Sequence, residues 1–336
     1  MVQNSSSTPS TPSLFDLCVR IVGSRITKYD PRTIGSLRSK IQDKIAKYLT
    51  HHADHKLQPF IPFYLPKLSN YSFKVLTPLD IEMTLGGLQG NTDLRKLKIM
   101  VNSKIKYNPE VKTAGLSICQ FLQTNTSLTS LSLRGSDLWR ANVPELLATF
   151  SKLPKLRSLN LQDVALNNPA PETDETPVLK QSIDIIKTRQ IAHLNLSGLF
   201  FTDDLLNALL TAIGCSTSLT SVSLSNNGFT VFRFAETSAC LSSNTHLKKL
   251  DISWIEGCSA KDNAAVIQNL IPFINNNTRL TELNLNHIGC LTDAGIEHLN
   301  LIDTRKRPLI LSFKGQSLSE EQILRLMDLK KLKVVY

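Results

Sequence analysis

Long apolar runs, paired cysteines and phosphate-cradling glycine loops are all missing from this chain. No stretch approaches the ~18 uninterrupted apolar residues of a membrane span, so no membrane insertion is expected. The six cysteines (18, 119, 215, 240, 258 and 290) stand far apart and form no Cys-x-x-Cys pair. That argues against a structural zinc site or a disulfide scaffold and fits a reduced, intracellular compartment, cytoplasmic or nuclear. Met1 to Ser13 is rich in Ser, Thr, Pro and Asn, with neither a basic start nor an apolar core. It reads as a disordered tail and not as a secretory signal. There is no Gly-x-x-x-x-Gly-Lys-Ser/Thr loop and no Gly-x-Ser-x-Gly elbow. Gly86-Gly-Leu-Gln-Gly90 lacks a lysine and falls where a helix should meet a strand, so it reads as a helix C-cap. The one metal-like cluster, His51-His-Ala-Asp-His55, closes a polar helix and has no fourth ligand beside it, which makes an exposed loop the expectation. No catalytic residue, cofactor or metal site is expected.

What is present is core material and basic charge. Apolar residues make up 41% of the 336, ample for a continuous core, which rules out wholesale disorder. Lysine and arginine outnumber the acids 38 to 28. The excess sits at the two ends: residues 1–60 carry nine basic and four acidic side chains, and residues 304–336 carry eight and three. The body between them is neutral. A nucleic-acid binder with a charge stripe along its length would look different, so nucleic acid is not the expected partner. Basic ends remain able to meet an acidic ligand.

A repeat decides the fold. An apolar-x-x-apolar-x-apolar pattern recurs as Leu94-x-x-Leu97-x-Ile99, Leu128-x-x-Leu131-x-Leu133, Leu156-x-x-Leu159-x-Leu161 and Ile191-x-x-Leu194-x-Leu196. It continues as Leu219-x-x-Val222-x-Leu224, Leu247-x-x-Leu250-x-Ile252 and Leu280-x-x-Leu283-x-Leu285. A degraded first copy is Leu68-x-x-Tyr71-x-Phe73, and two last copies are read as Lys306-x-x-Leu309-x-Leu311 and Leu329-x-x-Leu332-x-Val334. The mean period is 29 residues. A shared template, as in Gln123-Thr-Asn-Thr-Ser-Leu128 and Asn276-Asn-Thr-Arg-Leu280, precedes several copies. Between copies the chain is helical in pattern, as over Val111–Leu122, Asp203–Ile213 and Ala264–Ile274.

This pattern resembles the leucine-rich-repeat family, with features of the ribonuclease-inhibitor subclass and, around Leu291–Leu299, of the cysteine-containing repeats of F-box proteins. The resemblance implies an α/β solenoid, a horseshoe with parallel strands on the concave face and helices on the convex face, over residues 61–336. The family's usual asparagine, three residues after the third apolar position, is present only at Asn102 and Asn227. Residues 167–178, acidic and carrying Pro169, Pro171 and Pro177, read as a surface loop.

Residues 14–60 read as an N-terminal helical segment. Leu14, Leu17, Cys18, Ile21 and Val22 share one face, and a second amphipathic pattern runs from Ile34 to Leu49. Ser13-Leu14-x-x-x-Cys18-x-x-x-Val22 is similar to the elongin-binding box of cullin–RING ubiquitin-ligase substrate receptors, and the second helix is similar to an F-box. That likeness implies adaptor contacts at Leu14, Cys18 and Val22, with elongin or a Skp1-type adaptor and then cullin as partners. The same three residues equally suit a hydrophobic cap on the first repeat.

The repeat fold also implies a binding surface. Its strands expose Arg95, Lys96, Lys98, Arg134, Arg157 and His193, then Lys248, Lys249, Asp251 and Glu282, with Trp254 and His287 in a rim column just beyond. An unidentified protein partner gripped on this face is the expected function, and Trp254 the natural anchor. The alternatives are an acidic ligand, phosphoprotein or nucleic acid, held by the basic clusters, and regulation of a small GTPase.

Overall fold

The computed structural model describes residues 34–336 except 53–54, 76, 102–108, 135–142, 151, 164–182, 188–190, 200–202, 228, 255–259, 289–290, 303–307, 317 and 330–331. Leu14, Cys18, Val22, Trp139, the 167–178 insertion, Lys330 and Lys331 lie outside the described residues.

Ten parallel strands form one sheet in strict chain order. They are β1 (Asn70–Val75), β2 (Lys96–Val101), β3 (Ser130–Arg134), β4 (Ser158–Asn160), β5 (His193–Asn195), β6 (Ser221–Ser223), β7 (Lys249–Asp251), β8 (Glu282–Asn284), β9 (Leu309–Ser312) and β10 (Leu332–Val335). Among the described residues two α-helices, α1 (Ser39–His52) and α2 (Ile61–Tyr64), with a 3-10 turn at His55–Phe60 between them, precede the strands. The longer convex helices are α3 (Pro78–Leu88), α4 (Pro109–Thr124), α5 (Val143–Phe150), α6 (Asp203–Cys215), α7 (Val231–Thr237), α8 (Ala260–Asn276), α9 (Asp293–Leu299) and α10 (Glu320–Met327). The three helices expected from pattern each run a few residues further at one or both ends. The architecture is an α/β solenoid of the leucine-rich-repeat kind.

One apolar residue per strand forms the spine. Tyr71, Leu97, Leu131, Leu159, Leu194, Val222, Leu250 and Leu283 pair in series, each fully or almost fully buried. Burying a side chain of this size is worth about 1.5–3 kcal/mol, which a lone repeat cannot collect because its apolar face needs a neighbour on each side.

The last two copies correct the sequence reading. Leu283 pairs with Leu311, not Leu309, and Leu311 pairs with Val334. The ninth repeat is therefore Pro308-x-x-Leu311-x-Phe313, with Phe313 fully buried as its third apolar residue. A two-residue slip leaves every side chain on the same face of a strand, so alternation alone cannot detect it.

The first strand shows how the solenoid is capped. Elsewhere, one carbonyl of the preceding repeat accepts two backbone N–H groups: Ser69 O from Arg95 and Lys96, Arg95 O from Thr129 and Ser130, and so on to Lys248 O from Thr281 and Glu282. Strand β1 has no preceding strand among the described residues. The Asp43 carboxylate on α1 takes the carbonyl's place, with Oδ1 accepting from Ser69 N at 2.8 Å and Asn70 N at 3.0 Å. Oδ2 accepts from the Ser69 hydroxyl and from Asn70 Nδ2. The amphipathic pattern from Ile34 is broken before Ser39, and fully buried Gln42 heals the break. Its Nε2 donates to the carbonyls of Ile34, Gly35 and Leu37, while its Oε1 accepts from Lys67 N.

An asparagine ladder does exist, on the entry side of the strands. Asn91, Asn125, Asn244 and Asn277, from the pre-strand template, are all buried. Asn91 and Asn277 donate to the carbonyls of Leu68 and Leu247, each at 2.9 Å, and Asn125 Oδ1, Asn244 Oδ1 and Asn277 Oδ1 accept backbone N–H groups two or three residues on. On the exit side Asn227 bridges Leu196 O and Leu199 N. Gln316 bridges Leu285 O and Leu291 N in the same way, at the position the corrected register gives it.

Candidate binding surface

The concave face is the bare side of the sheet, and its alternate residues reach it because the strand period is two. Arg95, Lys96, Lys98, Arg134, Arg157, His193, Lys248 and Lys249 are exposed there or at its edge, while Asp251 and Glu282 are half-buried. These residues do not act as one cluster. Arg134 faces Asp163 at 3.7 Å, and Lys249 holds Glu282 across β7–β8 at 2.6 Å. Asp251 is engaged within the fold: it accepts from Ser253 N, Ser253 Oγ and Ser223 Oγ.

Asp251 belongs to a column that turns the chain out of the strands. Asn160, Asn195 and Asn284 side-chain oxygens likewise accept the N–H two residues on, from Gln162, Ser197 and Asn286. Short polar side chains make such turns because they replace a backbone acceptor locally. The next residue column is left-handed. Asp163, Gly198, Asn226, Trp254, His287 and Gly315 occupy equivalent places in successive repeats, with φ between 53° and 75°. Their N–H groups, from Asp163 to His287, donate to the neighbouring repeat's carbonyl at 2.8–3.0 Å. In the ninth repeat this place falls on Gly315, in keeping with the corrected register.

Trp254 is 54% exposed, and its indole stacks on the His287 ring with centres 3.9 Å apart. The two rim candidates are thus brought together. From β2 to β7 is five strands, about 24 Å at the usual spacing, so this pair is remote from Lys96 and Lys98.

Among the described residues, burial shifts the titration of two core groups. Burial pushes the Tyr71 phenol up, and its hydroxyl donates to Gln58 O at 2.7 Å. Burial likewise raises the Cys119 thiol, against a lowering contribution from Thr149. Both side chains are buried. No cluster of metal-ligating side chains occurs among the described residues, and none of their helices is long and apolar enough to cross a membrane.

What sequence reasoning missed is the cleft where α1 overhangs β1–β3, lined from the helix by Lys44, Lys47 and His51 and from the sheet by Lys96 and Lys98. The spacing 44, 47, 51 was the available signal, since it puts three basic side chains on one helix face.

No family model matches the chain, and no curated protein matches it. A chain of the crystal structure of the Rad7 and Elc1 complex in yeast aligns over 97% of this chain and 98% of its own length, at 15% identity and a TM-score of 0.45. A likeness this distant says nothing of what this chain binds.

Proposed function

We propose that the protein is a binding scaffold, not an enzyme, that grips a protein partner on its concave face. The supporting observation is the in-register sheet of ten strands, whose bare side presents exposed polar and charged side chains over many repeats, with a half-exposed Trp254 in the rim just past β7. Rigid elements that hold such side chains at fixed spacing suit protein recognition, where aromatic anchors carry much of the energy.

The finer reading makes it a substrate receptor of a cullin–RING ubiquitin ligase. Its support is the Ser13-Leu14-x-x-x-Cys18-x-x-x-Val22 box alone. A pull-down with purified elongin B/C tests it: wild type should retain the adaptor and Leu14→Ser should not. Equal recovery from both, or none from either, removes the receptor role and leaves the scaffold.

The scaffold itself is tested by affinity capture with the double variant Arg157→Glu/His193→Glu in the middle of the concave face. Captured protein should fall with that variant and persist with Gln120→Glu on the convex helix α4. Equal capture by all three forms would overturn the assignment of the face.

A further inference from the structure

The cleft between α1 and strands β1–β3 encloses about 690 Å³, within the range of pre-formed ligand sites. Lys44, Lys47 and His51 project from the helix, and Lys96 and Lys98 stand on alternate positions of β2. Between the two basic walls the lining carries Met100 on the same strand face as Lys96 and Lys98, beside the uncharged side chains of Ser72 and Ser130. The one carboxylate among the described lining residues, Asp43, is occupied by its hydrogen bonds to Ser69 and Asn70. No ion pair among the described residues holds Lys47, Lys96 or Lys98. On the same lining, Ser132 Oγ is buried with no hydrogen-bond partner. Such a hydroxyl costs free energy until something satisfies it.

We propose that this cleft binds an acidic peptide segment of a partner protein, its carboxylates on Lys47, Lys96 and Lys98 and an apolar side chain over Met100. The proposal rests on the reading of the concave face as a protein-binding surface and supplies the chemistry of what one part of it takes. Charge complementarity selects the occupant. Basic groups on two walls of a partly enclosed cleft reinforce one another's field, and an anionic segment entering between them is steered and held. The lack of an exposed large aromatic ring among the described lining residues selects a peptide over a nucleic acid, which would want exposed rings for stacking. Tyr71, the one large aromatic on the lining, is 3% exposed.

The test is a fluorescence-anisotropy titration of the full-length chain with a labelled peptide of alternating Glu and Leu. Lys96→Glu/Lys98→Glu should weaken binding by about tenfold or more, and raised salt should weaken binding to wild type. Lys333→Glu, an exposed change on β10 far from the cleft, should leave affinity unchanged. Thermal melts by circular dichroism establish that the variants fold, as expected for exposed strand positions. The proposal is overturned if the matching Gln–Leu peptide binds as well, if Lys333→Glu weakens binding as much, or if a single-stranded oligonucleotide displaces the peptide more readily than unlabelled peptide does. Zero-length coupling of Lys96 or Lys98 to Asp16 or Asp30, in a chain that takes no peptide, would assign the cleft to the chain's own N-terminal segment and also overturn it. Should the peptide fail while Arg157→Glu/His193→Glu still abolishes capture, the peptide site in the basic cleft falls and the scaffold reading stands.

Discussion

The indole of Trp254 lies on the imidazole of His287, ring centres 3.9 Å apart and planes 24° from parallel. Both residues have a φ of 58°, a left-handed conformation that costs a bulky side chain about 1–2 kcal/mol. The solenoid imposes it, because each repeat from Asp163 to Gly315 turns through the same position. His287 in turn covers Gly315, where an added Cβ would sit 2.0 Å from the imidazole Cε1. A stack of rings over a glycine thus runs along three repeats of the rim.

Stack and strain oppose each other at Trp254, and substitution separates them. Trp254→Ala removes a ring pair worth about 0.5–1.5 kcal/mol and keeps the strained backbone. Trp254→Gly removes the same pair but relieves the strain. Urea unfolding should therefore find the glycine variant more stable than the alanine variant. Identical midpoints would show that the left-handed turn is not strained here. Gly315→Ala should destabilise by about 1–2 kcal/mol, and by less in a His287→Ala background, since the clash then disappears.

Asp43 takes at β1 the accepting role that a preceding repeat's carbonyl has at the later strands. Asp43→Ala leaves the N–H groups of Ser69 and Asn70 without their acceptor and should cost about 1–3 kcal/mol. Asp43→Asn keeps one acceptor oxygen and should fall between alanine and wild type. Hydrogen exchange localises the effect: amides of β1 should lose protection, and those of β6–β8 should not. Uniform loss along the sheet would mean that Asp43 is no end-cap.

Cys119 and Cys215 should alkylate at different rates. Cys215 is exposed, whereas Cys119 is buried with its thiol pushed up by desolvation. Only the thiolate alkylates, so at pH 8 a raised pKa leaves less of Cys119 in reactive form. Peptide mapping after brief iodoacetamide treatment should show Cys215 modified well before Cys119, with the gap closing in denaturant. Equal modification rates in the native protein would contradict the burial of Cys119.

The candidate surface was legible only in part. Alternation correctly puts Lys96, Lys98 and His193 on the bare side of their strands. It could not tell that Lys249 is ion-paired to Glu282, thirty-three residues away, or that Asp251 is absorbed in a turn. Such pairs are adjacent in space because repeats stack, and their separation varies with the insertions between repeats. The slip at β9 has a similar origin: Leu309 and Leu311 both fit an apolar position, and only pairing with Leu283 chooses between them.

Taken alone, the amino-acid order determined which residues face inward, because a strand's period of two and a helix's of 3.6 are properties of the local chain. It thereby determined that the units must stack, since none can bury its leucines alone. Tertiary structure decided what the neighbours do to one another: the carboxylate that closes the first strand, the indole laid on an imidazole, and the basic cleft between a helix and a sheet. Those depend on distances between segments remote in sequence, and no local periodicity encodes them.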